Sequence, residues 1–112
     1  VKVGQLVAEL GLQLENTGSL ERDVTGAYCS DMLSHVMAHG REGQVWITVQ
    51  THQNVAAVAT LMSLSAVIIT SGKRPCQELL DRAGEEGLPV LTTGQCSFET
   101  AGRLYNLLQP KA

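Results

Sequence analysis

Aromatic side chains are scarce in this sequence: one Trp, two Tyr and one Phe among 112 residues. That leaves too few stacking platforms for a single-strand nucleic-acid binder. An excess of positive charge is missing as well. Eight Lys and Arg stand against eleven Asp and Glu, a formal charge of -3, so there is no basic footprint for a polyphosphate backbone. Nucleic acid is not an expected partner. The three cysteines, Cys29, Cys76 and Cys96, lie far apart with no C-x-x-C spacing, and an odd number does not close a disulfide framework. They are expected to be buried thiols in a reducing cytosol, which makes the expected location cytoplasmic. No apolar run reaches the roughly 20 residues of a membrane-spanning helix. The longest, residues 55–69, is interrupted by Thr60, Ser63 and Ser65, and residues 1–5 carry no basic-plus-apolar leader. A membrane is not an expected partner either.

Catalytic signatures are absent in the same way. The one Gly-Lys pair, Gly72-Lys73, is followed by Arg74, so no phosphate-binding G-x-x-x-x-G-K-[ST] loop exists. Neither a G-x-G-x-x-G dinucleotide turn nor a G-x-S-x-G nucleophile elbow is present. No cofactor is expected, and kinase chemistry is not expected of this chain by itself.

What the sequence does have is core material. With 44% hydrophobic and 17% charged residues, a single ordered domain over residues 1–112 is expected, not a disordered chain. Val3, Leu6, Val7 and Leu10 repeat at helical spacing before Gly11. Leu12-Gln13-Leu14 alternates as a strand does, and Asn16-Thr17-Gly18-Ser19 is a turn cluster. A second strand runs through Val24 to Tyr28, with Gly26 suggesting a close backbone approach. Ser30 or Asp31 can cap a helix that carries Leu33, Val36 and Met37 inward and ends at Gly40. Residues 44–49 have the strongest β-propensity. Asn54 is a natural N-cap for a helix that is apolar nearly all round and therefore covered on more than one side.

The run Ala66-Val67-Ile68-Ile69 has no polar alternation, as in a central strand covered on both faces. A helix with Cys76, Leu79, Leu80 and Ala83 inward follows, with Glu78 and Arg82 paired at i, i+4 and Gly87 closing it. A short strand, residues 88–91, takes Pro89 at its start or on an edge. Ser97 opens a last helix with Phe98, Ala101, Leu104, Tyr105 and Leu108 inward. Helices and strands alternate, so the expected fold is α/β: a three-layer α/β/α sandwich around a mostly parallel sheet.

Three clusters could carry chemistry. Asp31, His35 and His39 at i, i+4 and i+8 would share one helix face. The outer pair is too far apart for one ion to take all three and a fourth ligand is missing, so a polar helix surface, not a metal site, is expected. Gln50-Thr51-His52-Gln53-Asn54 lies between the best strand and the start of an apolar helix. Ligands of open α/β sheets collect at such places, where helix N-H groups face anions. Ser71-Gly72-Lys73-Arg74 follows the next strand, and its cations could reach the same rim.

Glu21-Arg22-Asp23-Val24-Thr25-Gly26-Ala27-Tyr28, continued by Ser30-Asp31-Met32-Leu33-Ser34, together with residues 46–57, resembles the DRTGG domain family over almost the whole length. Glu21 stands where the motif has its Asp, and Ala27 where it has its second Gly, a place where alanine would resist a positive φ. The resemblance implies a domain similar to the N-terminal domain of HPr kinase/phosphorylase and, more distantly, of Mur ligases. Such bacterial-type domains accompany catalytic or sensor modules, including CBS-domain pyrophosphatases and some phosphotransacetylases, and serve regulation or assembly.

The expectation is therefore a stand-alone, noncatalytic regulatory or ligand-sensing domain. It would bind a nucleotide or other phosphorylated, anionic metabolite and assemble as a homodimer. The candidate binding residues are Thr25, Gly26, Asp31, Gln50, Thr51, His52 and Asn54. One alternative is a small enzyme with His52 as general base oriented by Asp31. Another is a protein-interaction subunit presenting Leu107-Leu108 or the apolar face of the first helix.

Overall fold

In the computed structural model, which describes residues 1–110, five strands form one sheet. Lys111 and Ala112, the last two residues of the expected domain, lie outside the described residues. The chain runs α1 (Val3–Leu10), β1 (Gln13–Leu14), β2 (Gly26–Cys29), α2 (Leu33–His39), β3 (Gln44–Thr48), α3 (Asn54–Leu61), β4 (Ala66–Ile69), α4 (Gln77–Glu85), β5 (Val90–Thr92) and α5 (Ser97–Leu108). Strands β2 to β5 are parallel neighbours in sequence order. Only β1, antiparallel to β5, closes the sheet from the other end of the chain. The expected mostly parallel α/β sandwich is the observed one.

Alternation along the strands sorts the core into two layers, because successive side chains leave a strand on opposite faces. Trp46, Val67, Ile69 and Val90 pack with Val36 of α2, Val55 and Ala59 of α3 and Leu79 and Ala83 of α4. Val45, Ile47, Ala66, Ile68 and Leu91 pack on the other face with Val3, Leu6 and Leu10 of α1 and Leu104 of α5. The crossover helices α2, α3 and α4 thus cover one face, and α1 and α5 the other. Trp46 is wholly buried, and its indole N-H donates to the Ser30 carbonyl at 2.7 Å.

Several local expectations are corrected. On α5, Leu104 is buried and Ala101 and Leu108 pack against the core as expected, but Phe98 and Tyr105 are 87% and 66% exposed and Thr100 is buried instead. Met37 is likewise exposed. Cys29 and Cys96 are exposed and Cys76 is half-buried, so the thiols are not core residues. Neither Ser30, Asp31 nor Asn54 caps a helix: Met32 precedes α2, and Gln53, in helical geometry with φ -58° and ψ -24°, precedes α3. The α1 face expected to seek a partner is covered at home, with Val3 and Leu6 at 0% exposure. Gln77 donates to Asp81 at 2.8 Å, and the expected Glu78–Arg82 ion pair is not formed among the described residues. No helix of the described residues is long and apolar enough to cross a membrane.

Candidate functional site at the carboxyl rim of the sheet

Because β2 to β5 are parallel, the loops that leave their carboxyl ends gather at one rim. Asp31, just past β2, is the brace of that rim. Its Oδ1 accepts the Thr48 hydroxyl at 3.0 Å and the Val49 N-H at 2.9 Å, and its carbonyl accepts the Gln50 side-chain amide at 2.9 Å. The Gln50 N-H in turn donates to Thr48 Oγ1 at 3.1 Å. These bonds lock the end of β2 to the end of β3 and fix where residues 50–54 begin. Helix α2 starts only at Leu33, so Asp31 is not on the face that carries His35 and His39. The two rings lie 6.4 Å apart without the carboxylate. No group of three or more metal-binding side chains occurs among the described residues.

The loop beyond Gln50 is tied down by its own backbone. The Thr51 carbonyl accepts the Cys76 N-H at 3.1 Å, linking it to the start of α4. His52 Nδ1 accepts the Asn54 N-H at 3.1 Å, and the Val55 and Ala56 N-H groups donate to the carbonyls of His52 and Gln53. The first donors of α3 are therefore already satisfied, unlike those of an open helix start. What remains outward is side chain: with Nδ1 an acceptor, the neutral His52 ring carries its proton on Nε2, and His52 and Asn54 are both exposed. No hydrogen bond joins His52 to Asp31 among the described residues, so the acid-base pairing has no geometric support.

The neighbouring loops complete the rim. Thr70 and Ser97 share a hydroxyl–hydroxyl bond at 2.6 Å, and the Ser71 and Gly72 N-H groups donate to the carbonyls of Gln95 and Thr93. Arg74 does not face this rim freely. Its guanidinium grips Glu15 with two bonds, 2.9 and 3.1 Å, while Thr92 donates to the same carboxylate. Arg74, first, and the Thr92 hydroxyl, second, hold the Glu15 carboxyl below the ordinary range. Lys73 is the exposed cation of the rim without a carboxylate partner among the described residues. Burial pushes the Cys29 thiol up, and the Asp31 carboxylate adds to it, so Cys29 is held as a thiol and not as a nucleophilic thiolate.

Thr25 and Gly26 are placed apart from Asp31, Gln50, Thr51, His52 and Asn54. They stand at the amino end of β2, separated from Asp31 by six and five residues, at most about 17–20 Å of chain at ~3.3 Å per residue. There the signature stretch acts as a clamp. Arg22 donates to the Glu86 carbonyl at 2.7 Å, where α4 ends, and to the Leu64 carbonyl at 3.2 Å, just before β4. Ser65 donates to the Asp23 carbonyl, and Thr25 to the Glu42 carbonyl at 3.1 Å. Gly43, at φ +84°, lies so close that a Cβ would come within 2.6 Å of Thr25 Oγ1. At Gly26 a Cβ would meet nothing nearer than 3.8 Å, so the expected close approach is at Gly43 instead. Ala27 does not adopt a positive φ and carries no strain.

A cleft of about 660 Å³ lies beside α4 and is lined by Glu15, Asp81 and Glu85 among others. Three carboxylates make it unsuited to an anion. A further structural hub was not visible in sequence: Asn16 accepts from the Gly18 and Val90 N-H groups and donates to the Leu88 carbonyl at 3.0 Å. Its place in a turn cluster announced a turn and gave no sign of contacts more than 70 residues away.

Comparison with known proteins agrees with this architecture. No curated protein matches the chain. A solved structure, the CBS and DRTGG domains of the regulatory region of Clostridium perfringens pyrophosphatase complexed with its activator diadenosine tetraphosphate, superposes with a TM-score of 0.75 at 18% identity. The match covers 92% of this chain and 45% of that one, so the chain spans about half its length. The profile of the DRTGG domain matches residues 6–107. With that match laid over a sheet whose signature stretch clamps one end and whose loops gather at the other, the chain belongs to the DRTGG domain family.

Proposed function

We propose that this chain is a noncatalytic regulatory module that takes a nucleotide or another phosphorylated, anionic metabolite at the carboxyl rim and works as a homodimer. The observation that carries the reading is the likeness, over 92% of the chain, to a pyrophosphatase regulatory region that was crystallised with a dinucleotide activator. The rim offers the ligand side-chain donors rather than a catalytic set. His52 Nε2-H, the Asn54 amide, the Thr51 hydroxyl and Lys73 are suited to phosphate oxygens. Asp31 and Gln50 hold the loop that presents them. Thr25 and Gly26 contribute at the other end of β2, by keeping that strand in register.

Isothermal titration of the chain with ATP, AMP and diadenosine tetraphosphate tests this. The expected result is a saturable heat with at least one of them, weakened about tenfold or more in His52→Ala, as for loss of one good hydrogen bond to a charged group. Absence of heat with all three would remove the ligand and leave regulation by assembly alone, and full retention in both His52→Ala and Asn54→Ala would remove the carboxyl rim as its site.

A further inference from the structure

Two of the four aromatic side chains of this chain lie exposed on one helix. Phe98 and Tyr105 are 87% and 66% exposed, and with Ala101 and Leu108 they follow i, i+3, i+7 and i+10 along α5, one continuous stripe. Ala101 and Leu108 lean on the core beside Leu104, and Phe98 and Tyr105 stand at the outer margin of that face. Beside it the sheet ends at β2. Ala27 and Cys29 project to the α5 side and are exposed, and with Ile47, Ala101, Tyr105 and Leu108 they line an apolar groove of about 410 Å³. None of the residues lining that groove is charged.

We infer that the outer edge of β2 and the Phe98–Leu108 stripe of α5 form one surface that docks a second copy of this chain about a twofold axis, joining two sheets edge to edge. This rests on the dimer reading proposed above and assigns its surface. The ladder supplies the first argument. Ser30 N-H donates inward to the Ile47 carbonyl, so by the two-residue period the main-chain groups of Ala27 and Cys29 point outward, unpaired. Natural edges are usually blunted by charge, proline or extreme shortness. The other edge, β1, has two residues. By contrast, β2 is Gly26-Ala27-Tyr28-Cys29, with neither charge nor proline. An antiparallel edge is complementary to its own copy, which is what an isologous interface requires.

Charge and area supply the rest. On a chain with a formal charge of -3, an uncharged face is where two copies approach with least repulsion. The two exposed rings alone offer about 300 Å² at the ~150–250 Å² typical of an aromatic side chain. That is more than a third of the ~800 Å² per partner of a stable interface, before Ala27, Cys29, Leu108 and the strand edge are counted.

Sedimentation velocity over a concentration series, with the parent chain and the variants Ala27→Lys, Tyr105→Glu and Leu61→Glu, tests the assignment. Leu61 is 67% exposed on α3, across the sheet, and serves as the control. The substituted side chains are exposed, and far-UV circular dichroism checks that each variant is folded. The expected result is a dimer for the parent and Leu61→Glu. The dissociation constant should rise at least about thirtyfold in both Ala27→Lys and Tyr105→Glu, as for a central anchor. A parent dimer unmoved by either substitution would overturn this surface while leaving the dimer intact. An equal loss in Leu61→Glu would overturn it too. A parent monomer at all concentrations would overturn both the surface and the dimer, without touching ligand binding.

Discussion

Replacing Arg22 with alanine removes a bridge between three elements, and the structure sets its size. The guanidinium donates at 2.7 Å to the Glu86 carbonyl and at 3.2 Å to the Leu64 carbonyl. Hydrogen bonds from charged groups contribute roughly 1.5–3 kcal/mol each. The Glu86 bond lies at the surface and belongs at the low end, although a cation at the end of α4 also gains a few tenths of a kcal/mol from the helix dipole. The Leu64 carbonyl is part-buried and is left without this donor. Together these give a loss of about 2–3 kcal/mol. With a urea m-value of about 1.5 kcal/mol/M for a chain of this size, the unfolding midpoint falls by between about 1 and 2 M. The thermal midpoint falls by about 8–12 °C. Arg22→Lys should recover less than half, because one ammonium cannot reach two carbonyls with planar geometry. The assay is urea unfolding followed by Trp46 fluorescence. A midpoint within about 0.3 M of the parent would refute the clamp. So would loss of nucleotide heat at unchanged stability, since that would make the signature arginine a ligand contact.

Three further perturbations have worked signs. A Cβ on Gly18 would sit 2.2 Å from the Pro89 backbone, so Gly18→Ala should lose about 2–3 kcal/mol, and an unchanged chemical-denaturation curve would contradict that packing. Glu15 has its carboxyl lowered on folding by Arg74 and Thr92, so it stabilises above its unfolded value near ~4.3 and this is lost as pH falls through the lower folded value. Glu15→Gln should therefore be less stable at pH 7 and show a shallower decline of the thermal midpoint on acidification. Parallel pH curves would speak against the carboxylate as the group involved. Trp46→Phe empties part of a fully buried site and leaves the Ser30 carbonyl without its indole donor. We expect a loss of about 2–3 kcal/mol by calorimetry, and a cost below about 0.5 kcal/mol would show that the site closes on itself.

The central strands β3 and β4 are legible because their residues are buried on both faces: Ala66–Ile69 matches the apolar run residue for residue, and Gln44–Thr48 matches the β-prone run to within one residue. Periodicity was ambiguous where a helix carries two adjacent apolar stripes. On α5, Ala101, Leu104 and Leu108 belong with the core, but Phe98 and Tyr105 continue at the same spacing, and nothing local says where the inward stripe ends. The rim at residues 50–54 was visible from its place between a strand and a helix. Asp31 was seen as a residue of interest, yet its turn toward Thr48 and Val49 depends on strand pairing. Thr25 and Gly26 belong to the signature stretch that Asp31 continues, yet they stand at the other end of β2. An extended strand carries six residues of separation across the whole sheet, so proximity in sequence becomes distance in space. Arg22 and Asn16 find partners 42 to 74 residues away, and no spacing rule reaches that far.

The pairing of β1 with β5, Gln13 opposite Thr92, has a consequence for the order in which the molecule is made. Strands β2 to β5 meet neighbours that leave the ribosome one helix apart, so each can dock as it emerges. Strand β1 precedes all of them in the chain, but its partner, β5, is the last strand. Until residues 90–92 arrive, Gln13 and Leu14 have no strand to pair with, and α1 covers Val45, Ile47, Ala66 and Ile68 without Leu91 and Leu104. The pairing of Gln13 and Leu14 with β5 is thus the last of the sheet to form, and in refolding experiments Leu14→Ala should speed unfolding while leaving the folding rate nearly unchanged.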